Sequence, residues 1–234
     1  MTSADPTLGR APKALWDRDE GTLRCRFLGR VEYTRALQLQ ESLIETSRAG
    51  EDQLLLLEHP PVYTTGRSGD PANLPADAAG VPVIRTGRGG DATFHGPGQL
   101  VGYPIVNLRR RGSDVHRYLR QIEAGLLAAL ASYEIDAHRE SGRTGIWVRR
   151  PDDMESAKIA SIGIAVRRGV AWHGFALNVD NDVRGFERIT ACGIPGIRMT
   201  SIMEAGSGAR PSLPDVAETV ARAMASALGA PAPS

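Results

Sequence analysis

The sequence predicts one mixed α/β domain, and its length, its continuity and the order of its elements support that fold class. The 234 residues suit one large domain or two small ones. No internal repeat or long linker divides them, which favours a single domain over 21–230 with flexible termini at 1–20 and 231–234. Strands and helices follow one another irregularly, as in a mixed sheet rather than a regular βαβ repeat.

The first half of the chain predicts four strands and two helices. Apolar runs mark the strands at 23–28, 54–57, 81–85 and 100–106. The four leucines at 54–57 are typical of a central strand that is covered on both faces. One amphipathic helix is predicted over 31–48, before Gly50. A second helix is predicted from Asp114, a favourable N-cap residue, to about Tyr133.

The second half predicts three further strands and a closing helix. The strands lie at 145–148, 158–166 and 170–179. The short sequence Arg167-Arg168-Gly169 joins the last two as a hairpin. The closing helix is predicted over 214–228. Together these elements indicate an α+β arrangement around a mixed sheet.

Composition excludes several classes of protein. The 28 basic and 27 acidic residues give a net charge of +1, which argues against a nucleic-acid partner. Two cysteines without a C-x-x-C motif make no disulfide framework, and no apolar run is long enough for a membrane span. The five histidines lack metal-ligand spacing, so no metal site is predicted. These features predict a cytoplasmic protein.

Lysine is rare in a chain that otherwise carries its positive charge on arginine. Only Lys13 and Lys158 occur, and Lys158 begins an apolar strand. Alternation along that strand predicts that it shares a face with Ala160 and Ile162. A desolvated lysine can give up its proton, whereas arginine cannot. The alternative is a lysine at the strand end whose head group extends into water.

Cys192 lies in a loop that favours an accessible sulfur. Gly193 and Gly196 follow it and leave room around the thiol. The thiolate is the reactive form of cysteine, and a nearby cation such as Lys158 would favour it. A free cysteine is more often a small buried apolar residue. That alternative fits Cys25, which lies inside the first predicted strand.

The segment 87–99 contains five glycines in thirteen residues and is the densest local signal. Glycines let a ligand approach backbone amides, which could form an oxyanion hole. The spacing of Gly87, Gly89 and Ala92 formally matches a dinucleotide fingerprint, but Gly96-Pro97-Gly98 prevents the helix that it requires. His95 could either transfer a proton or support the loop by hydrogen bonds.

Arginines cluster at 109–111, 149–150 and 167–168. Such clusters can steer an acidic partner protein towards a binding surface. They are also common as solvated loop ends. Both interpretations remain open at this point.

Four separated motifs resemble those of the lipoyl(octanoyl) transferases, the lipoate-protein ligase B family. They are Arg88-Gly89-Gly90-x-x-Thr93-Phe94-His95-x-x-Gly98-Gln99-Leu100-x-x-Tyr103, Lys158-Ile159-Ala160-Ser161-Ile162-Gly163, His173-Gly174-Phe175-Ala176-Leu177-Asn178-Val179 and Ala191-Cys192-Gly193. The resemblance covers roughly residues 23–228 and implies the fold of biotin and lipoate protein ligases. That fold is a mixed α/β domain with a large and a smaller sheet.

The resemblance also implies a reaction that needs no cofactor. An octanoyl group would leave octanoyl-acyl carrier protein, form a thioester on Cys192 and pass to a lysine of a lipoyl domain. The implied acceptors are the E2 subunits of 2-oxoacid dehydrogenases and the H protein of glycine cleavage. Lys158 would favour the Cys192 thiolate. The implied substrate-binding residues are Arg88, Gly89, Gly90, Asp91, Ala92, Thr93, Phe94, His95, Ser161, Ile162, Gly163, Gly174, Phe175 and Ala176.

Three other functions compete with this one. An ATP-dependent lipoate or biotin ligase of the same fold would need no cysteine nucleophile. A non-catalytic module could bind an acyl carrier protein and leave the acyl group unchanged. A cysteine hydrolase would release free octanoate without an amine acceptor.

Overall fold

The computed structural model describes residues 13–21, 23–149, 155–206 and 210–229. Its eleven strands are β1 (Trp16–Asp19), β2 (Arg24–Arg30), β3 (Gln53–Glu58), β4 (Val62–Thr65), β5 (Val83–Arg85), β6 (Thr93–His95), β7 (Gln99–Asn107), β8 (Ala137–Glu140), β9 (Arg143–Arg149), β10 (Ser156–Arg167) and β11 (Val170–Asn178). Its α-helices are α1 (Tyr33–Ala49), α2 (Val115–Ala131), α3 (Ile202–Ala205) and α4 (Leu213–Gly229).

The strands form a large and a small sheet, as the resemblance implied. The large sheet has the order β1-β2-β3-β7-β11-β10-β9-β8, and the small sheet has the order β5-β4-β6. Within the large sheet β2 and β3 are parallel, while the other neighbours are antiparallel. The predicted mixed α/β fold class is therefore confirmed.

Helices cover both faces of the large sheet. Buried residues of α2 and α4 pack with the sheet in one apolar cluster, whereas α1 packs in a second cluster on the opposite face. The four leucines of β3 divide between the two clusters, Leu54 and Leu56 in the first and Leu55 and Leu57 in the second. This alternation confirms the prediction of a central strand that is buried on both sides.

The ends of the predicted helices agree with local chemistry. Asp114 Oδ1 accepts a hydrogen bond from Arg117 N at 2.9 Å and so caps α2. Gly50 ends α1 with a φ of 125°, and its amide bonds back to Ser47 O. In the described part of the chain no helix combines the length and apolar composition needed to cross a bilayer.

The structure adds strands that the sequence did not predict. Strand β1 lies within the terminus predicted as flexible and pairs antiparallel with β2. The contact of Arg18 with Glu218 at 2.7 Å also ties β1 to α4, so order begins earlier than expected. Residues 1–12 and 231–234 lie outside the described residues. Strands β4, β6 and β8 have only three or four residues, too few to show a periodicity.

Two of the predicted arginine clusters are largely paired within the protein. Arg110 and Arg111 both contact Asp52, at 3.3 and 2.9 Å. In the β10–β11 hairpin Arg167 contacts Glu41 and Arg168 contacts Glu45, at 3.4 and 2.7 Å. These pairs favour the interpretation of the arginines as charged loop ends. They tie the hairpin to α1 and the β7–α2 connection to the α1–β3 loop.

Candidate active site

A cleft of about 320 Å3 lies between the β10–β11 hairpin, the glycine-rich segment and the loop that carries Cys192. It is lined by Cys192, Lys158 and most of the predicted substrate-binding residues, namely Arg88, Gly90, Asp91, Thr93, His95, Ser161, Ile162, Gly163, Gly174, Phe175 and Ala176. The structure therefore brings together segments that are far apart in the sequence.

The two predicted catalytic residues contact each other in this cleft. Lys158 Nζ donates to Cys192 Sγ across 3.3 Å, and Ser161 Oγ lies 3.8 Å from the same sulfur. Lys158 is 3% exposed, and Cys192 is only partly buried. A lysine amine enclosed beside an accessible cysteine sulfur is placed to exchange a proton with that sulfur.

The side chain of Lys158 is enclosed rather than extended into water. Its Nζ lies 5.2 Å from the centre of the Trp147 ring, a cation–π contact. A Cβ placed on Gly145 would lie 2.5 Å from Lys158 Cε, so the glycine leaves room for the lysine stem. The alternative of a solvated strand-end lysine is therefore wrong.

The predicted alternation along β10 is interrupted at its start. The register with β9 shifts between Lys158 and Ala160, as in a β-bulge. As a result Lys158 shares the cleft with Ser161, which is three residues away, while Ala160 packs in the apolar core. The expectation that Lys158 and Ala160 share a face was wrong, because a bulge adds a residue to one strand of the pair.

Main-chain bonds hold Cys192 in a strained conformation. Its φ is 58° and its ψ is 17°, in the left-handed region that costs a non-glycine residue about 1–2 kcal/mol. Its amide donates to Ala92 O at 2.8 Å, which joins the cysteine loop to the glycine-rich segment. The conformation is thus imposed by the surrounding loops and directs the sulfur towards Lys158.

Asp91 organises the backbone around the cysteine. Its Oδ1 accepts from the amide of Ala92 at 2.6 Å, and its Oδ2 accepts from Asn73 Nδ2 at 2.7 Å. Gly193 has a φ of 68°, and a Cβ there would lie 2.8 Å from Asp91 Oδ2. The loop after Cys192 therefore fits against Asp91 only because residue 193 is a glycine.

Arg88 fixes the glycine-rich segment from inside. Its guanidinium donates to Gly89 O, Thr64 O, Thr64 Oγ1 and Asp91 O at 2.8–3.0 Å. Burial lowers the pKa of Arg88 from its usual value. Such a planar group with several donors can hold a loop in one conformation.

Three backbone amides of the cysteine loop and the glycine-rich segment already have acceptors. Cys192 N donates to Ala92 O, Gly193 N to Thr190 O and Gly89 N to Ile164 O. These amides cannot form the predicted oxyanion hole in this conformation. The donors that do reach the sulfur are the side chains of Lys158 and Ser161.

His95 belongs to a buried network of aromatic and polar side chains. Its Nδ1 lies 2.7 Å from Gln99 Oε1, and its Nε2 lies 3.4 Å from Thr64 Oγ1. Burial lowers the pKa of His95 to about 3, so the ring is neutral at physiological pH. Both nitrogens have protein partners, which favours the supporting role over proton transfer.

A second buried histidine orders the neighbouring tyrosine. His59 Nδ1 lies 2.6 Å from Val31 O, which can only accept, so Nδ1 carries the proton. His59 Nε2 then accepts from the Tyr103 hydroxyl at 2.8 Å. Burial lowers the pKa of His59 to about 4, which keeps this tautomer uncharged. The arrangement positions Tyr103 in the cleft wall.

Three predicted substrate-binding residues do not line the cleft. The side chain of Phe94 packs with Tyr63 and Phe186 in a separate apolar cluster. Ala92 contributes the carbonyl that holds Cys192, and Gly89 bonds to Ile164 O. Their structural contribution is to position the loops. Sequence proximity within a motif did not distinguish these residues from the residues that face the cleft.

The structure adds cleft residues that the sequence analysis did not assign to the site. They are Tyr33, Val101, Tyr103, Gly142, Arg143, Thr144, His173 and Ile194. Tyr103 and His173 lie within the recognised motifs, so a signal for them existed. The others come from α1, from β7, from the β8–β9 turn, from the start of β9 and from the loop after Cys192, where no pattern marked them.

Cys25 has the opposite environment from Cys192. It is fully buried in the core cluster under the large sheet, and burial raises the pKa of its thiol to about 12. It therefore remains a neutral thiol at physiological pH, as predicted for a small apolar residue. Among the described residues no group of three or more potential metal ligands is placed to hold a metal ion.

Comparison with known families assigns the class of this fold and cleft. The family model of the lipoyl protein ligase A/B catalytic domain matches residues 32–225. The chain therefore belongs to that family.

Within the family, the similar relatives are octanoyltransferases. The one from Geobacter sulfurreducens is 50% identical over 208 residues, covering 88% of this chain and 83% of the relative. The one from Geobacter metallireducens is 51% identical over 179 residues, covering 76% of this chain and 80% of the relative. The one from Mycolicibacterium smegmatis is 45% identical over 204 residues, covering 87% and 88%. The resemblance found in the motifs is thus confirmed.

Solved structures share the fold at low sequence identity. The bipartite lipoate protein ligase of Thermoplasma acidophilum aligns with a TM-score of 0.69 at 17% identity, covering 91% of this chain and 85% of its own. Lipoate-protein ligase A bound with ATP aligns with a TM-score of 0.68 at 17% identity, covering 88% and 85%. This likeness concerns the fold, and it confirms the predicted ligase-like architecture.

Proposed function

We propose that this protein is an octanoyltransferase that carries the octanoyl group as a thioester on Cys192. The observation that supports the proposal best is the 3.3 Å contact of Lys158 Nζ with Cys192 Sγ in a cleft with an apolar wall. The octanoyltransferase relatives are about half identical in sequence over most of the chain. A buried lysine and an accessible cysteine are the groups that acyl transfer through a thioester needs.

The first step transfers the acyl group to the enzyme. Lys158 takes the proton of the Cys192 thiol, and the thiolate attacks the carbonyl carbon of octanoyl-acyl carrier protein. A carbon–sulfur bond forms to Cys192 and the bond to the carrier's sulfur breaks. The leaving thiolate takes the proton from the Lys158 ammonium, so protons and charge balance.

The second step transfers the acyl group to an amine. The amino group of an acceptor lysine attacks the Cys192 thioester and forms an amide. Lys158 takes the proton that the amine loses, and the Cys192 thiolate leaves. Exchange of one thioester for another and then for an amide needs neither ATP nor a metal, which fits the prediction of a reaction without cofactors.

Side chains, rather than loop amides, would donate the hydrogen bonds that stabilise the developing oxyanion. The Lys158 ammonium and the Ser161 hydroxyl are both close to the sulfur. A donor aimed at an oxyanion typically contributes about 3–4 kcal/mol to the transition state. Ser161 is thus proposed to bind the carbonyl oxygen of the substrate.

The wall of the cleft provides an acyl slot. Val101, Ile162, Phe175, Ala176 and Ile194 present apolar surface there. Each buried methylene of an acyl chain contributes about 0.8 kcal/mol, so this surface can bind an octanoyl chain. Gly174, a further cleft residue, adds no side chain that would fill the slot.

The donor and acceptors follow from this reaction. The donor is octanoyl-acyl carrier protein, and the acceptors are lipoyl domains of 2-oxoacid dehydrogenase E2 subunits and the H protein of glycine cleavage. We place all of these substrates, and this protein with them, in the cytoplasm. The exposed Arg143 and Thr144 at one side of the cleft provide polar surface for a carrier protein to approach.

The deciding experiment is intact-protein mass spectrometry after incubation with octanoyl-acyl carrier protein in the absence of ATP. We expect the mass to rise by one octanoyl group, and peptide mapping to place that group on Cys192. Cys192→Ala should form no adduct, while Cys25→Ala serves as the matched control and should form it normally. Addition of a lipoyl domain should then discharge the adduct and acylate the domain.

The competing functions predict different results for these assays. An ATP-dependent ligase would acylate the lipoyl domain from free octanoate and ATP, and would survive Cys192→Ala. A passive binding module would bind the donor without any covalent change. A hydrolase would release octanoate at the same rate with or without a lipoyl domain. Either of the first two results would overturn the proposed thioester route, and the third would overturn transfer to an amine acceptor.

A further inference from the structure

His173 is a buried side chain that faces the cleft without a protein partner. It is 1% exposed and lines the cleft. Neither Nδ1 nor Nε2 has a hydrogen-bond partner among the described residues. Buried polar atoms are bonded in the great majority of cases. The unpartnered nitrogens therefore point to something that enters the cleft.

The backbone of β11 is distorted to place this ring in the cleft. His173 has a φ of 57°, and successive side chains of a regular strand point to opposite faces. The rings of Trp172 and His173 nevertheless stack, with centroids 4.1 Å apart and an interplanar angle of 27°. Gly87 covers the ring, because a Cβ there would lie 4.0 Å from His173 Nε2. Such strain in a non-glycine residue is concentrated at functional sites.

The strand register gives the separation along the sheet between His173 and Ser161, the residue whose hydroxyl is close to the nucleophile. Ser161, close to Cys192 Sγ, lies opposite Ala176, whereas His173 lies opposite Ile164. Three residues along a strand span roughly 10 Å, about the reach of an extended eight-carbon chain. His173 is buried on β11, whereas Arg143, on β9 across β10, is exposed. An acyl chain attached to Cys192 would therefore run inwards and end near His173.

The ring is compatible with an apolar chain end and with a small polar one. Burial lowers the pKa of His173 to about 4, so the imidazole is uncharged at neutral pH. A neutral imidazole offers one donor and one acceptor. A methyl group can rest against the uncharged ring, and a hydroxyl could satisfy the unpartnered nitrogens.

We propose that His173 closes the inner end of the acyl slot, where it sets the accepted chain length and permits a terminal hydroxyl on the chain. The inference rests on the proposed acyl transfer at Cys192 and names the part of the substrate that this residue selects. His173 is thus a specificity-determining residue rather than one that acts on the reacting atoms.

The first test opens the end of the slot. The variant His173→Gly removes the ring and suits the φ of 57°. Adduct formation on Cys192 is measured by intact mass with octanoyl, decanoyl and dodecanoyl carrier proteins, and kcat/KM is compared. We expect the ratio of decanoyl to octanoyl to rise at least roughly four-fold for each added methylene that becomes buried. An unchanged ratio in a folded variant overturns the proposal.

A second variant with a small side chain provides the same test if His173→Gly does not fold. Asparagine tolerates the left-handed region better than most residues, so His173→Asn should keep the strand conformation. It should shift the chain-length ratio in the same direction as His173→Gly. The control variant is Ile164→Val. Ile164 lies opposite His173 in the sheet, but it packs in the core and does not line the cleft. The chain-length ratio of this control should match that of the wild type.

A third variant tests the nitrogens apart from the size of the ring. His173→Phe keeps an aromatic ring beside Trp172 and removes both nitrogens. We expect it to accept octanoyl donors and to disfavour 8-hydroxyoctanoyl donors by about ten-fold relative to wild type, since one hydrogen bond is lost in an apolar slot. An equal ratio of the two donors in His173→Phe and wild type contradicts the role of the nitrogens.

Failure of this inference can be told apart from failure of the proposed function. If wild-type protein forms no adduct with any chain length, acyl transfer through Cys192 is wrong. If adducts form on Cys192 and the His173 variants keep the wild-type chain-length profile, the transferase remains and only the assignment of His173 is wrong.

Discussion

Lys158 Nζ lies 3.3 Å from Cys192 Sγ, although 34 positions separate the two residues in the chain. Main-chain bonds produce this contact from both sides. Lys158 N donates to Arg198 O, and Thr200 N donates to Lys158 O, so the start of β10 is bonded to the segment after the cysteine. Cys192 N is bonded to Ala92 O on its other side. The pair is therefore held by the backbone, and its geometry should survive substitution of either side chain.

Replacement of Lys158 by arginine should remove activity and keep the fold. Arginine carries a permanent charge and cannot accept the thiol proton, and its larger head group must fit beside Trp147 and Gly145. We expect octanoyl adduct formation on Cys192 to slow by about 100- to 10,000-fold, the range for loss of a general base. Rapid-quench mass spectrometry measures the rate, and circular dichroism checks the fold.

The only other lysine provides the control for this substitution. Lys13 is exposed and outside every strand and helix, so Lys13→Arg should leave the rate of adduct formation unchanged. A Lys158→Arg protein with wild-type turnover would show that Lys158 acts only as a fixed positive charge beside the thiolate.

The two cysteines should differ in reactivity towards an alkylating reagent. Burial raises the pKa of the Cys25 thiol to about 12, so at pH 8 Cys25 stays protonated and enclosed. Cys192 is partly exposed, and its sulfur contacts the Lys158 amine. We expect iodoacetamide to modify Cys192 alone in the folded protein and both cysteines in denaturant, as read by peptide mapping. Equal labelling of Cys25 in the folded protein would contradict the burial of that thiol.

Sequence motifs predicted the fold and the two catalytic candidates, because the motifs that indicate the family also contain Lys158 and Cys192. The apolar run of β3, the cap of α2 and the β10–β11 hairpin also followed from local patterns. The contact between Lys158 and Cys192 did not, since no periodicity links two residues 34 positions apart. The chemistry of a thiolate suggested pairing Cys192 with Lys158, and the motif resemblance implied the same pair.

Local irregularities account for most of what the sequence did not show. The bulge after Lys158 changes which residues of β10 face the cleft, and it depends on pairing with β9. The left-handed backbone of His173 and Cys192 depends on tertiary contacts, since only a few per cent of non-glycine residues adopt it. The division of Arg88 to His95 into cleft-lining and supporting residues likewise depends on the three-dimensional path of the loop.

A methyl group at residue 193 should disturb the nucleophile. Gly193 has a φ of 68°, and a Cβ there would lie 2.8 Å from Asp91 Oδ2. Gly193→Ala must therefore move either Asp91 or the Cys192 loop, and we expect a loss of adduct formation of more than ten-fold. Gly196→Ala is a matched control, since its φ is 70° and no atom lies within 4 Å of the added carbon.

The two glycine variants distinguish the effect of backbone strain from the effect of displacing Asp91 or the Cys192 loop. Both should lower stability by about 1 kcal/mol through the left-handed backbone, which thermal unfolding measures. Only Gly193→Ala should also slow acylation of Cys192. Equal acylation rates in the two variants would show that the contact of residue 193 with Asp91 does not position the nucleophile.

Buried neutral histidines should make the protein less stable as the pH falls. Burial lowers the pKa of His59 to about 4 and that of His95 to about 3, whereas an unfolded histidine titrates near 6.5. Below about pH 6.5 the unfolded chain binds protons that the folded chain excludes. Full stability is therefore present above that pH and declines towards pH 4, by about 1.4 kcal/mol per pH unit for each histidine.

His59→Gln can preserve both hydrogen bonds, to Val31 O and from Tyr103, without titrating. In urea unfolding at several pH values, the dependence of stability on pH should be smaller for His59→Gln than for wild type by the share of one histidine. Equal slopes for wild type and His59→Gln would contradict the buried neutral state of His59.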